Sequence, residues 1–247
     1  MSQPIIALFT DFGANTPYPG QIRLVLAQKA PNSIVIDFCH DLPAFNPRAA
    51  AYLLPAYTSV LPRESVVLSV VDPGVGSKNS RPSIVRADSL WFVGPDNGIF
   101  NEVARKANKL EWWDITWKPI NISNTFHGRD LFAPVAAQVA LGKLPPGNRV
   151  EPKSRINTDW PKNLAEIIYI DRYGNGITGI KAESLNSDSQ LIISGQQLIH
   201  AHTFSDVKVG EAMWYANSNN LIEICVNQGS AAERMGLTIG TVIEIQP

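Results

Sequence analysis

Apolar positions along the first 145 residues fall into short blocks whose period switches between strand-like and helix-like. Pro4–Thr10 is a compact apolar run ending in Asp11-Phe12-Gly13, which predicts a strand and a loop. Gly20–Lys29 carries apolar residues at helical spacing, and Ser33–Phe38 is β-branched and predicts a second strand. Pro47–Val60 is rich in Ala and Leu and opens with Pro, a residue suited to a first helical turn. Ser65–Val71 (SVVLSVV) predicts a buried strand, and so does Leu90–Val93. Ile99–Lys106 predicts a helix, Lys109–Ile115 a strand and Asp130–Leu141 an amphipathic helix. This alternation implies an α/β domain over 1–145, with a mostly parallel sheet flanked by helices.

The pattern then breaks. Gly142–Lys162 has four prolines and no periodicity, so 146–163 is expected to be a linker. Short β-rich runs follow at Ala165–Ile170, Gln190–Ile193, Leu221–Val226 and Thr241–Ile245, separated by turn signals. They predict a second domain over 164–247, a small antiparallel β-barrel.

Composition narrows the classes. A chain of 247 residues that is 45% hydrophobic and 17% charged has material for a large core, which excludes a disordered chain and a coiled coil. The net charge of −1 argues against broad binding to nucleic acid or to an anionic membrane. Two distant cysteines, Cys39 and Cys225, exclude a disulfide scaffold and a Cys-based zinc site, and buried thiols are expected. The start MSQPIIALFTDFG has no basic segment before its short apolar run, so no signal peptide is predicted. No apolar run reaches the ~20 residues of a membrane span, and a cytoplasmic location is the expectation.

Ligands of open α/β sheets sit beyond the carboxyl ends of the strands. Three predicted strands end in an aspartate near a glycine: Asp11, Asp72 and Asp96. Together they form a polar rim, although each is also a common turn residue. His127, between Phe126 and Gly128 at a helix entry, is an unusual place for a core histidine. His40 reads as a structural histidine, and His200 and His202 as a surface or core pair rather than metal ligands. HExxH, GxSxG and GxxxxGK[ST] are all absent. On these residues alone a metal phosphoesterase using the Asp rim stays open.

Five motifs in fixed order add to this: Thr10-Asp11-Phe12-Gly13, Val71-Asp72-Pro73-Gly74-Val75-Gly76, Gly94-Pro95-Asp96-Asn97-Gly98, Phe126-His127-Gly128-Arg129-Asp130 and Asp171-Arg172-Tyr173-Gly174-Asn175, with Asn217-Ser218 later. Over nearly its whole length the chain resembles the S-adenosyl-L-methionine (SAM) hydrolase (adenosine-forming) family, the SAM hydroxide adenosyltransferases, relatives of the SAM-dependent fluorinase and chlorinase. The resemblance implies hydrolysis of SAM to adenosine and methionine by attack of water on C5′, with SAM as substrate and neither metal nor cofactor. It implies a homotrimer in which SAM lies between the N-terminal domain of one subunit and the C-terminal domain of its neighbour. Asp72, Arg81 and His127 match the catalytic set. Asp11 matches the ribose-binding acid, Phe45 and Tyr173 match aromatic positions around the nucleoside, and Asp171, Asn175 and Ser218 match residues that hold the methionine amine and carboxylate. The halogenases have Tyr at the position of Asp72 and lack the His, so a halide-displacing enzyme is the lesser alternative; a SAM-binding protein without turnover is another. The chain departs from the family at three points. Arg81 stands two positions further from Asp72 than usual, Lys78-Asn79-Ser80 lengthening that turn; Thr16 replaces an acid; and Gly179 replaces an Asn.

Overall fold

The computed structural model describes residues 3–78 and 80–246. The chain divides into two compact units, with the boundary between Asn157 and Thr158.

The first unit runs β1 (Ile5–Thr10), α1 (Pro17–Lys29), β2 (Ile34–Cys39), α2 (Pro47–Thr58), β3 (Val66–Val70), β4 (Pro82–Ala87), β5 (Leu90–Pro95), α3 (Asn101–Lys106), β6 (Leu110–Ile115), α4 (Ala133–Ala140) and β7 (Gly147–Val150). Its sheet has the order β2-β1-β3-β5-β4-β6-β7. Alternation along the strands splits the core between the two faces. Ile6, Leu8, Val66 and Leu68 join Ile22 and Leu26 of α1 and Val135 and Val139 of α4. On the opposite face Phe9 meets Tyr57 of α2 edge-on, with centroids 6.2 Å apart.

The sheet is mixed, not mostly parallel as the strand–helix alternation predicts. β2, β1, β3 and β5 are parallel, whereas β4, β6 and β7 pair antiparallel. The cause is local. Only Asp88 and Ser89 separate β4 from β5, and Asp88 has φ 52°, so the chain turns straight back on itself. The sequence Pro82-Ser83-Ile84-Val85-Arg86-Ala87 opens on Pro and carries an Arg, which hides a strand. Within the segment read as a linker, β7 pairs with β6 as a short, mostly polar edge strand with little apolar signal of its own. At the predicted 130–141 helix, Gly128–Phe132 is a wide π-type turn, closed by Ala133 N–H donating to Gly128 O, and the α-helix proper starts only at Ala133.

The second unit comprises β8 (Leu164–Ile170), β9 (Gly176–Lys181), β10 (Gln190–Ile193), β11 (Gln196–His200), β12 (Ala212–Ala216), β13 (Leu221–Val226), α5 (Ala231–Met235) and β14 (Glu244–Gln246). Its seven strands form one curled sheet, β14-β10-β11-β12-β13-β9-β8. Edge strand β8 bonds back to the chain entering β14, with Ile167 N donating to Thr241 O at 2.9 Å and Ile243 N to Ala165 O at 2.9 Å. The sheet is not wholly antiparallel. β11 and β12 run parallel because a crossover through the 3-10 turn Phe204–Asp206 joins them. No helix among the described residues is long and apolar enough to cross a membrane.

Candidate active site

β1, β3 and β5 are adjacent and parallel, so the aspartates that follow them, Asp11, Asp72 and Asp96, emerge at one edge of the sheet. The side-chain amide of Asn97 donates to Val71 O at 2.8 Å and ties the loop after β5 to the loop after β3.

A cavity of about 420 Å³ opens at this edge, lined among others by Asp11, Phe45, Asp72, Phe126 and His127. Asp11 is fixed on both sides. Its N–H donates to Val70 O at 3.3 Å, and its Oδ2 accepts from Phe45 N at 3.2 Å. Phe45 has φ 60°, a left-handed conformation that is uncommon for a non-glycine residue and worth noting at a site. The loop below is closed by Thr16, whose hydroxyl donates to Phe12 O at 2.7 Å and to Gly13 O at 3.1 Å. Thr16, at a position where the resemblance implies an acid, is therefore a loop clasp. His40 is buried and bridges Thr10 Oγ1 (2.8 Å) and Asp37 Oδ1 (3.1 Å), the structural role expected of it.

Asp72 Oδ1 accepts from Gly74 N at 3.1 Å, while Oδ2 is buried and has no hydrogen-bond partner among the described residues. Nδ1 of His127 is likewise buried, with no partner among the described residues. Both residues line the cavity, and two buried polar atoms left unsatisfied beside one space call for an explanation such as a bound polar group. Burial pushes the Asp72 carboxyl above the usual carboxylate range; the Gly74 N–H and the nearby His127 oppose this, and the Asp11 charge adds to it. Burial also raises Asp11, against the Phe45 N–H and its own. His127 enters the wide turn Gly128–Phe132, of a kind often found at functional sites. Just beyond it, Asp130 holds Arg129 at 2.6 Å and accepts from Ser123 N at 2.7 Å, and these contacts keep its carboxyl low. The loop carrying Asp72 lies close against the 123–126 segment. Gly76 has φ 76°, and a Cβ there would come within 2.3 Å of Asn124 O.

Arg81 is not among the cavity's lining residues. Its side chain is 61% exposed, with Nε 3.8 Å from Asp96 Oδ2, and its carbonyl accepts from Asp96 N at 2.7 Å. Asp96 is otherwise held by Arg155, at 2.8 Å, which also bridges to Asp114 at 2.5 Å. Burial raises the Asp96 carboxyl, and the two guanidiniums oppose that. Asn79, in the turn before Arg81, lies outside the described residues.

A second cavity, of about 680 Å³, lies in the second unit and is lined by Asp171, Tyr173, Asn175, Phe204, Tyr215 and Glu223 among others. Asp171 organises its own turn. Oδ1 accepts from Tyr173 N (2.8 Å) and Asn175 N (2.9 Å), and Oδ2 from Asn175 Nδ2 (3.1 Å). Gly174 has φ 82°, with no room for a Cβ beside Ser230. Ser218 is exposed in the β12–β13 turn and does not line the cavity. The sequence reading missed Phe12, Tyr18 and Phe126, whose rings pack on one another at the first cavity, and Tyr215 and Glu223 at the second. A detectable signal for Glu223 is an acid in the middle of the apolar run Leu221–Val226. His200 packs at a tilt against Trp214, with ring centroids 4.3 Å apart, and meets His202 edge-on at 5.1 Å. No cluster of three or more metal-ligating side chains occurs among the described residues.

A carboxylate–imidazole cavity at the carboxyl ends of parallel strands, followed by a curled β-unit with a cavity of its own, defines a two-unit α/β protein with the concave sites of a small-molecule binder. The chain belongs to the SAM hydroxide adenosyltransferase family: the model of the family's N-terminal domain matches residues 6–148, and that of its C-terminal domain matches 165–244. It is 36% identical to an (R)-S-adenosyl-L-methionine hydrolase of Thermus thermophilus, over 97% of this chain and 98% of that protein. It is 33% identical to one of Salinispora tropica, over 98% and 97%. A crystal structure of an uncharacterized conserved protein from Thermotoga maritima superposes with a TM-score of 0.86 at 29% identity, covering 98% of this chain and all of that one.

Proposed function

We propose that this chain hydrolyses S-adenosyl-L-methionine, in the (R) form that its relatives' names specify, to adenosine and L-methionine. The observation that carries this reading is the cavity lined together by Asp11, Asp72 and His127, the last two each with a buried side-chain atom that has no hydrogen-bond partner among the described residues.

Water attacks C5′ in line with the C5′–S bond. An O–C5′ bond forms, the C5′–S bond breaks with its electron pair going to sulfur, and methionine leaves as a neutral thioether. The departing sulfur already carries the positive charge, so the displacement needs neither a metal nor a redox cofactor. Asp72 and His127 hold the water by hydrogen bonds and take up the proton it loses. A carboxyl raised by burial is a stronger base than an exposed one, which suits it to that task. Asp11 accepts the ribose hydroxyls, and the rings of Phe12, Tyr18 and Phe126 give the nucleoside an apolar wall. Arg81, held at Asp96 on the same edge of the sheet, contributes positive charge at the rim that favours hydroxide character in the nucleophile.

The site is completed by a neighbouring copy in a homotrimer. Supporting this are two aromatic side chains left uncovered, Phe45 (76% exposed) at the first cavity and Tyr173 (77% exposed) at the second. Asp171, Asn175 and the β12–β13 turn with Ser218 then face the methionine portion from the partner's second unit.

The test is incubation of the protein with each sulfonium epimer of SAM in heavy-oxygen water. Adenosine carrying the heavy atom at its 5′ hydroxyl is expected, preferentially from the (R) form. Unlabelled adenosine, a 5′-halogenated nucleoside formed in its place when halide is present, or binding with no product would overturn the reading.

A further inference from the structure

The loop that carries Asp72 leaves the end of β3 at Val71 and returns to β4 at Arg81. Two adjacent residues after β5 grip both of its ends. Asn97 Nδ2 donates to Val71 O at 2.8 Å, and Asp96 N donates to Arg81 O at 2.7 Å. The loop is longer than the resemblance implies, and a longer loop is harder to hold in one conformation. Asp96 also meets the Arg81 side chain, its Oδ2 lying 3.8 Å from Nε, while that side chain stays mostly exposed. Asp96 therefore steers the guanidinium without burying it.

The pull on Arg81 comes from an uneven charge count. Asp96, whose side chain is 7% exposed, and Asp114 share a single close cation. Arg155 meets the first at 2.8 Å and the second at 2.5 Å. Asp114 Oδ1 is buried with no hydrogen-bond partner among the described residues, so Arg155 is the cation on which both acids draw. Two carboxylates against one guanidinium leave one negative charge over, and Arg81 is the cation beside it. Arg155 is itself fixed, because it ends the 3-10 turn Pro152–Arg155 and Asn157 N donates to Asn101 Oδ1 at 2.7 Å just beyond.

We propose that Asp96 is the positioning residue of Arg81, with Arg155 and Asp114 setting the spare negative charge by which it holds that side chain at the rim. This rests on the SAM-hydrolase reading, in which Arg81 lends positive charge to the nucleophile. Asp96 acts only through Arg81, and Asp114 acts at one further remove, through Arg155 and Asp96.

The experiment is a double-mutant cycle read by adenosine release from SAM. Asp96→Asn keeps the main-chain bond to Arg81 O and the shape of the side chain, and removes its charge. It should lower kcat at least about tenfold and move KM less than about threefold. On an Arg81→Ala background the same substitution should change kcat less than about twofold. A merely structural role would cost as much on one background as on the other, so equal losses overturn the inference. Asp114→Asn keeps the test decisive even if Asp96→Asn folds poorly, because Asp114 is the more exposed acid and its ion pair is with Arg155. With Asp114 neutral, Arg155 balances Asp96 and the hold on Arg81 weakens. That variant should lose about twofold to tenfold in kcat, and only where Arg81 is present. An unchanged kcat, or a loss that persists with Arg81→Ala, overturns the inference. Adenosine release by Arg81→Ala at the rate of the unmodified protein sinks this inference alone, whereas no adenosine from the unmodified protein with either epimer of SAM sinks the hydrolase reading with it.

Discussion

Replacing Asp72 by Asn is the most economical probe of the proposed water-holding pair. Asn keeps the shape, and it keeps an oxygen for the Gly74 N–H at 3.1 Å. What changes is the buried second oxygen, which becomes an amide nitrogen that donates where an acceptor is needed. A positioned base contributes about 10²–10⁴ in rate. At ~1.4 kcal/mol per decade that is roughly 3–5.5 kcal/mol of barrier, which should appear in kcat more than in KM. Stability should move the other way. Burial raises the Asp72 carboxyl in the folded protein, so its favourable contribution is complete only below the unfolded-state value and is lost as pH rises through the folded-state value. At neutral pH the wild-type carboxylate therefore opposes folding, and the variant should melt higher. That gain should shrink as pH falls through the carboxylate range. The assay is chromatographic adenosine release beside melting curves from about pH 4 to pH 8. A kcat within tenfold of wild type, or a variant that melts lower at neutral pH, would refute the reasoning.

Asp11→Asn should weaken adenosine and SAM together by about 1.5–3 kcal/mol, read by calorimetry; an unchanged adenosine affinity would remove Asp11 from the nucleoside pocket. Arg155→Leu strips the shared cation from Asp96 and Asp114 and should destabilise the first unit by about 3–5 kcal/mol in denaturant titration. Gly76→Ala drives a methyl toward Asn124 O and should cost more than ~1 kcal/mol while depressing turnover, because the displaced loop carries Asp72. Dilution below the association range, followed by sedimentation, should abolish activity as the proposed shared sites come apart, and an active monomer would contradict them.

The central strands and their helices were legible because they are buried and apolar, and Ser65–Val71 gives β3 almost as it stands. The parallel neighbours β1, β3 and β5 brought Asp11, Asp72 and Asp96 to one edge, as a strand-end reading predicts. Less legible were β4, opening on Pro82, and β7, whose Gly147-Asn148-Arg149-Val150 has no apolar alternation to reveal an edge strand. Asp72 and His127 share a cavity although 55 residues separate them, a proximity carried by family motifs and not by local pattern. Asp96 ends its strand as its two companions do but has no place in the site implied by the resemblance, and its side chain is spent on Arg81 and Arg155. Arg155 lies in a Pro-rich stretch with no periodicity, so nothing local announces that partner.

In the proposed reaction, two carboxylates raised by burial in one cavity would give the cycle an electrical direction. The arriving sulfonium offsets their charge, and bond cleavage destroys that cation while releasing a proton. If the Asp72–His127 pair keeps the proton, the cavity's charge is the same before and after the chemical step, and only the mobile carrier of the positive charge has changed. Adenosine and the thioether no longer hold it, so the electrostatic grip on the sulfur end is gone at the moment the products must leave. On that reading the pair would surrender its proton to solvent before the next substrate meets a full negative charge. Resetting the enzyme is in this sense a deprotonation, and a slow one would show as a solvent-isotope effect on turnover with none on a single chemical event.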